Sequence, residues 1–358
     1  MTRVPVRDDL RALEGYHSPQ VHVDVRLNTN ESPFAPPAAW YDAFAAELSR
    51  VEWHRYPDRA AAALRAGIAH LHQVRPDQVF VANGSNEVLQ TLLLTFAGPG
   101  RAVATSGGTC QPHGHTAGLP GASLREGDRA VDCSLDLAEV RRVLAAGSPV
   151  VTFLCSPNNP TGLVESQADV RTVLGLVPGL LVVDEAYGQF ADWSAIGLVD
   201  DETPLVVTRT FSKTWSMAGS RLGYLIGPAW LVAELDKVVL PYHLDAAKQI
   251  AGRLALTFVD EMEARVQFIV AERERLSAEL AAMVLDVFPS GANFILFRPR
   301  SMAGRAVWQR LLDRNVLIRD CSGWPRLGDC LRVTVGTASE NDQFLAALTG
   351  ALSPEAVH

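Results

Sequence analysis

Lys213 stands where a lysine side chain can be stripped of water. In TFSKTWSMAGSRLGYLIG, residues 210–227, it follows an apolar run and Ser212, and a turn of small residues then leads to Arg221. Partial desolvation lowers a lysine pKa and frees the amine to attack a carbonyl carbon. Ser212 and Arg221 suit a phosphate, the guanidinium acting as a two-pronged cation. A surface Lys and Arg beside a turn is the plain alternative. In LLVVDEAYGQF, residues 180–190, Asp184 closes an almost wholly apolar strand. A carboxylate buried there is costly without a cationic partner. A protonated ring nitrogen is such a partner, and the pairing would keep the ring an electron sink. Tyr187, three residues on, is placed to hydrogen-bond a hydroxyl of the same ring. Capping of a following helix is the other reading of Asp184.

Two further segments point the same way. SPNNPTG, residues 156–162, directly follows a strand, and its two prolines and Gly make it a turn. Asn159 in it can present an amide to a ring hydroxyl, or the segment is turn chemistry alone. In ANGSNEVLQ, residues 82–90, Gly84 and Ser85 open a helix straight after a strand. The free N–H groups and dipole of such a helix N-terminus hold phosphate well. Ser85 or Asn86 as an ordinary N-cap is the competing reading.

These segments need a scaffold, and the pattern around them predicts one. Short apolar runs at 78–82, 101–105, 149–154, 180–184, 204–209 and 223–227 read as strands. Helical patterns at 85–97, 136–146 and 166–175 separate several of them, after helices at 38–50 and 59–72. Buried runs alternating with helices indicate βαβ units and a mostly parallel sheet, whose ligands bind at the carboxyl ends of strands. A long helical region over 246–282 follows. Strands at 292–298, 316–319 and 331–335, with helices at 301–313 and 339–351, then suggest a smaller α+β domain. The expected division is an arm over 1–35 that joins the small domain, a large ligand-binding domain over 36–245, and a long interdomain helix with the small domain over 246–358.

Composition narrows the function classes. The chain has 358 residues, 48% hydrophobic and 20% charged, with a net charge of −8. No basic patch stands out, which argues against nucleic acid as a partner. No stretch approaches the roughly 20 apolar residues of a membrane helix, and the start lacks a signal-peptide core. The five cysteines, Cys110, Cys133, Cys155, Cys321 and Cys330, are scattered without metal-ligand spacing. A cytoplasmic protein with reduced thiols and no metal is the expectation.

The order GSNE, NNPTG, DEAY, SK and R-x-GY resembles the fold-type I aminotransferases that use pyridoxal 5'-phosphate, and among them the histidinol-phosphate aminotransferase family. The resemblance runs from RLNTNESP (26–33) and RYPD (55–58) to LRVTVGT (331–337). It implies an aspartate-aminotransferase-like α/β fold, with a seven-stranded, mostly parallel sheet sandwiched by helices. It also implies that Lys213 carries the cofactor as a Schiff base and shuttles the proton between Cα and the cofactor. Asp184 matches the partner of the pyridine nitrogen, and Asn159 and Tyr187 the ligands of the ring hydroxyl. Gly84, Ser85, Ser212 and Arg221 match the phosphate cup, and Asn86 is a further cofactor-binding residue. Tyr56 is similar to the tyrosine that reaches the neighbouring subunit's site, implying a homodimer with shared active sites. Arg332 matches an arginine that holds the substrate's carboxylate or phosphate. Tyr16 and Arg319 fall on further substrate contacts, and Asn28 and Asn293 lie in matching segments. The partners implied are a small amino donor and a 2-oxo acid acceptor.

The pattern departs from the family in two places. The family's ring-stacking aromatic falls at Cys110, in SGGTCQPHGH, and a thiol has no π face; His113 or His115 is the nearest ring. In RDCSGWP, residues 319–325, Cys321 stands where an aromatic is usual, and Trp324 is either its substitute or a packed side chain. These departures leave the cofactor residues intact. They keep a second reading open, in which the same electron sink serves a decarboxylase, lyase, cyclase or oxidase.

Overall fold

The computed structural model describes residues 21–106 and 120–353, with Val4 and Gly118. Its strands are β1 (Val25–Leu27), β2 (Val79–Ala82), β3 (Ala102–Ser106), β4 (Ser123–Gly127), β5 (Val151–Cys155), β6 (Leu180–Asp184), β7 (Leu205–Thr210), β8 (Gly223–Ile226), β9 (Leu285–Val287), β10 (Phe294–Pro299), β11 (Val316–Asp320) and β12 (Leu331–Thr334). The helices are α1 (Ala38–Leu48), α2 (Ala62–His72), α3 (Gly84–Phe96), α4 (Leu137–Ala145), α5 (Gln167–Leu176), α6 (Ala229–Val238), α7 (Ala246–Ala255), α8 (Val259–Ala281), α9 (Gly304–Leu312) and α10 (Ala338–Leu352).

Seven strands form one sheet in the order β2-β8-β7-β6-β5-β3-β4, parallel except for β8, which runs antiparallel to both β2 and β7. Its central strands are apolar along their whole length because both faces are covered. Alternation assigns the faces: Leu181, Val183 and Val207 pack into a core with α2 and α7, whereas Leu180, Val182 and Val206 pack with α3 and α6. Each fully buried aliphatic contributes about 1.5–3 kcal/mol, so a one-residue slip of β6 would be prohibitive. A second sheet, β1-β11-β12-β10-β9, is antiparallel except for the β1–β11 pair. It carries its own core, in which Val25 and Leu27 meet α8, α9 and α10.

Two expectations need correction. The helix over 246–282 is broken into α7 and α8. At the break Thr257 Oγ1 donates to Leu254 O at 2.8 Å, and Phe258 leaves helical geometry at φ −115, ψ 44. A local side chain-to-backbone bond has displaced the helical one. Strands β1, β4 and β9 and helix α6 were absent from the sequence pattern; β4, SLREG, is a largely exposed edge strand with no apolar run to betray it. Three cysteines that are far apart in sequence, Cys133, Cys321 and Cys330, share one buried cluster with Leu296, Leu327 and Trp324. Among the described residues they are free thiols and no group of side chains is placed to hold a metal.

Candidate active site

The parallel strands β2, β5, β6 and β7 end at one cavity of about 370 Å³. That lies within the ~300–1,000 Å³ usual for small-molecule sites. Asp184, the last residue of β6, sits on its wall and is only 6% exposed. Its Oδ1 accepts from Thr208 Oγ1 and from Ala186 N, both at 3.1 Å. These donors fix the orientation of the buried carboxyl group. On the far face of the sheet the next residue, Glu185, takes two bonds from Arg209, at 2.9 and 2.5 Å, and one from Ala195 N at 2.6 Å. The strand end that presents Asp184 is thus fixed from both sides.

Lys213 follows β7 and lines the cavity, its Nζ donating to Thr29 O at 3.1 Å. The amine lies 5.7 Å from the centroid of the Tyr187 ring. Asn159 lines the cavity from the turn after β5, and its Oδ1 accepts from Arg332 Nη1. Ser85, Asn86, Ser212 and Arg221 form the remaining end. Arg221 adopts φ +50 and reaches Ser212 Oγ at 3.4 Å. Gly84 has φ +80, and a Cβ there would lie 2.8 Å from Arg221 Nη2. A Cβ on Gly223 would lie 2.3 Å from Ser85 N. The cup therefore requires glycine at both positions.

Arg332 is 5% exposed; its Nη2 donates to Asn28 O at 3.0 Å and its guanidinium lies 5.1 Å from the Phe294 ring centroid. Arg319 is its direct partner across the β11–β12 ladder. Like charges facing one another across a sheet repel, and an anion between them removes the penalty. Arg319 also lies 5.7 Å from the Trp324 ring, and Trp324 packs in the cysteine cluster, so that ring is a packed side chain flanking the arginine pair. Cys321 is fully buried, and burial pushes its thiol up to about 11 against the pull of Arg332 and Arg319.

Of the expected residues, the structure brings Ser85, Asn86, Asn159, Asp184, Tyr187, Ser212, Lys213 and Arg221 to one cavity, with Gly84 beneath Arg221. Arg332 joins it through Asn159, and Asn28 contributes its carbonyl to Arg332. Asn293 is buried behind, its Nδ2 donating to Asn30 O. Tyr56 stands apart, 80% exposed and stacked on Tyr242 with centroids 4.4 Å apart. Tyr16, Cys110, His113 and His115 lie outside the described residues. The sequence reading missed Thr29, Asn30 and Glu31. Thr29 acts through a carbonyl that every residue possesses, so its side chain carries no signal.

A phosphate cup at one end, a buried carboxylate at the other and a lysine amine between them fit pyridoxal 5'-phosphate. Its phosphate suits the helix N-terminus with Ser85, Ser212 and Arg221, its ring nitrogen suits Asp184, and its aldehyde suits Lys213. Comparison with known proteins agrees. Residues 23–348 match the family described as aminotransferase class I and II. A histidinol-phosphate aminotransferase of Nocardia farcinica is 45% identical over 352 residues, covering 96% of this chain and 90% of that protein. The fold matches a crystal structure of Sinorhizobium meliloti histidinol-phosphate aminotransferase in complex with pyridoxal 5'-phosphate, with TM-score 0.87, 23% identity and 97% of both chains covered. It also matches a tetra mutant of Thermus thermophilus aspartate aminotransferase, with TM-score 0.82, 21% identity, and 97% of this chain and 99% of that one covered. The chain belongs to the class I and II aminotransferases and is an enzyme that moves amino groups with pyridoxal 5'-phosphate.

Proposed function

We propose that the protein takes the amino group of histidinol phosphate and passes it to a 2-oxo acid. The observation that carries this reading is Arg332, bonded to Asn159 of the cavity wall, with Arg319 as its direct partner across the β11–β12 ladder. Two arginines suit a dianionic phosphate better than a single carboxylate. The 45% identity to a histidinol-phosphate aminotransferase supports the same choice.

When bound, the cofactor supplies an aldehyde that receives the amino group and a ring that accepts electron density from the substrate's Cα. The protein's own residues do the rest in this proposal. Arg221, Ser212, Ser85 and the start of α3 hold the phosphate. Asp184, held by Thr208 Oγ1 and Ala186 N, pairs with the ring nitrogen. Tyr187 and Asn159 hold the ring hydroxyl. Lys213, whose amine faces the cavity, would hold the cofactor's aldehyde and, once free, would be the base placed to move the substrate's Cα proton. Arg332 and Arg319 orient the substrate, an entropic contribution as much as a binding one. Tyr56 reaches the second site of a homodimer. The chain divides into an arm over 1–35, a large cofactor domain over 36–245 and a remainder over 246–358, and works in the cytoplasm. Among the described residues no helix is long and apolar enough to cross a membrane.

The test is turnover of histidinol phosphate against histidine, phenylalanine and aspartate, with 2-oxoglutarate as acceptor and glutamate as the measured product. A clear preference in kcat/KM for histidinol phosphate is expected. Equal or better use of an unphosphorylated amino acid overturns the substrate assignment, and release of CO2 without glutamate overturns the reaction.

A further inference from the structure

We propose that Asn30 is a positioning residue that sets the direction in which the Tyr187 hydroxyl gives its proton. Asn30 is 1% exposed and held at φ +55, a conformation that Asn tolerates better than most residues. Its backbone N–H donates to Thr334 Oγ1 at 3.0 Å, and Thr334 Oγ1 donates in turn to Asn30 Oδ1 at 3.1 Å. With Oδ1 engaged, Nδ2 faces Tyr187 and donates to its hydroxyl oxygen at 2.9 Å. An amide N–H can only donate. Tyr187 is therefore an acceptor on this side, and its own proton goes elsewhere. The cavity side, where the cofactor's ring oxygen belongs, is the direction that uses it.

The consequence is electrostatic and rests on the cofactor being held at Lys213. A hydrogen bond given to the ring oxygen favours its anionic form. That oxygen then holds the proton of the adjacent lysine nitrogen less tightly, and the protonated, yellow form of the bound cofactor is lost at lower pH. Turning the Tyr187 proton away moves this transition to higher pH. The charged groups around Tyr187 are Lys213, Asp184, Glu31 and Arg221 on the cavity wall, Arg332 over the Phe294 ring that Tyr187 meets edge-on, and Arg273 of α8, which donates to Phe190 O and Ala292 O. All remain when Asn30 is changed.

Asn30→Asp is nearly isosteric and keeps the acceptor for Thr334, but it offers Tyr187 an acceptor in place of a donor. The pH midpoint of the visible absorbance of the purified holoenzyme should rise by about one unit, the size of one hydrogen bond to a charged oxygen. Its added charge alone would raise the midpoint too, so the change is repeated in Tyr187→Phe. There the Asn30→Asp shift should shrink to the part that the added charge alone contributes, because no hydroxyl is left to redirect. Asn30→Gly, which accepts the same backbone angle, provides a neutral second variant and should show a smaller rise that vanishes in Tyr187→Phe. An unchanged midpoint, or a shift that persists undiminished in Tyr187→Phe, overturns the proposal. Borohydride trapping of the cofactor on Lys213 in each variant separates this failure from failure of the cofactor assignment, which would leave no label at that lysine.

Discussion

In the proposed reaction, removing the Lys213 amine takes away both the anchor of the cofactor and the group that would move the Cα proton. Lys213→Ala should show no borohydride-stable label, and turnover should fall by about 10²–10⁴-fold, the usual worth of a positioned acid–base group. Asp184 acts through charge. Breaking a buried ion pair costs ~3–5 kcal/mol, so Asp184→Asn should release cofactor roughly 200- to 5,000-fold more readily in equilibrium dialysis. Arg332→Ala should cut kcat/KM for a phosphorylated amine by roughly 30- to 1,000-fold, matching ~2–4 kcal/mol for truncating one side of a buried charged contact. These residues were legible because their types are improbable where they stand: an acid ending the apolar strand LLVVD, and a lysine after the apolar strand LVVTRT. Thr29 and Asn30 were not. One acts through its main chain, and the other through an amide whose partner, Tyr187, is 157 positions away.

Strand ends and helix starts carry the next layer. Gly84→Ala puts a methyl 2.8 Å from Arg221 Nη2 at φ +80. A left-handed residue with a side chain costs ~1–2 kcal/mol, so both the melting temperature and phosphate-dependent cofactor retention should fall. Below the sheet, His72 of α2 meets Tyr224 of β8 at 2.8 Å. Burial, with Arg209 adding its positive charge, pushes the His72 imidazole down to about 3. The folded state then binds fewer protons than the unfolded one between about pH 6.5 and 3. Stability from this site is intact near neutrality and is lost as pH falls through that window. His72→Gln, which cannot titrate, should flatten the acid limb of urea midpoints measured from pH 7 to pH 4. The parallel strands were visible as apolar runs because both faces are covered. The exposed edge strand β4 and the break at Thr257 were not, since each depends on what the residues meet in space.

The molecule as a whole leaves Tyr56 80% exposed, stacked on Tyr242. The proposed homodimer, in which Tyr56 serves the partner's site, makes a specific prediction. Lys213→Ala and Tyr56→Ala proteins should each be impaired alone, and mixing them under subunit exchange should restore activity, since one site of each hybrid dimer is whole. No gain on mixing would argue for independent sites. The two-sheet layout was legible as a change from alternating strands and helices to a mixed tail. An arm joining the small domain was expected, but the strand pairing that does it was not legible, because Val25–Leu27 is too short to read as a strand and its partner β11 begins at Val316.

That pairing bears on how the enzyme is made. Asn28, Thr29 and Asn30, just past β1, touch Arg332, Lys213 and Tyr187 in turn. The Asn28–Arg332 contact joins residues 304 positions apart. At ~5–20 residues per second, the N-terminal strip emerges from a ribosome roughly 15–60 s before the strand that completes its surroundings. The nascent chain can assemble the large sheet early, yet it must keep its opening segment unpaired until the final strands arrive. Stalled chains ending before β11 should therefore fail to retain the cofactor even when the lysine and the phosphate cup are already outside the ribosomal tunnel.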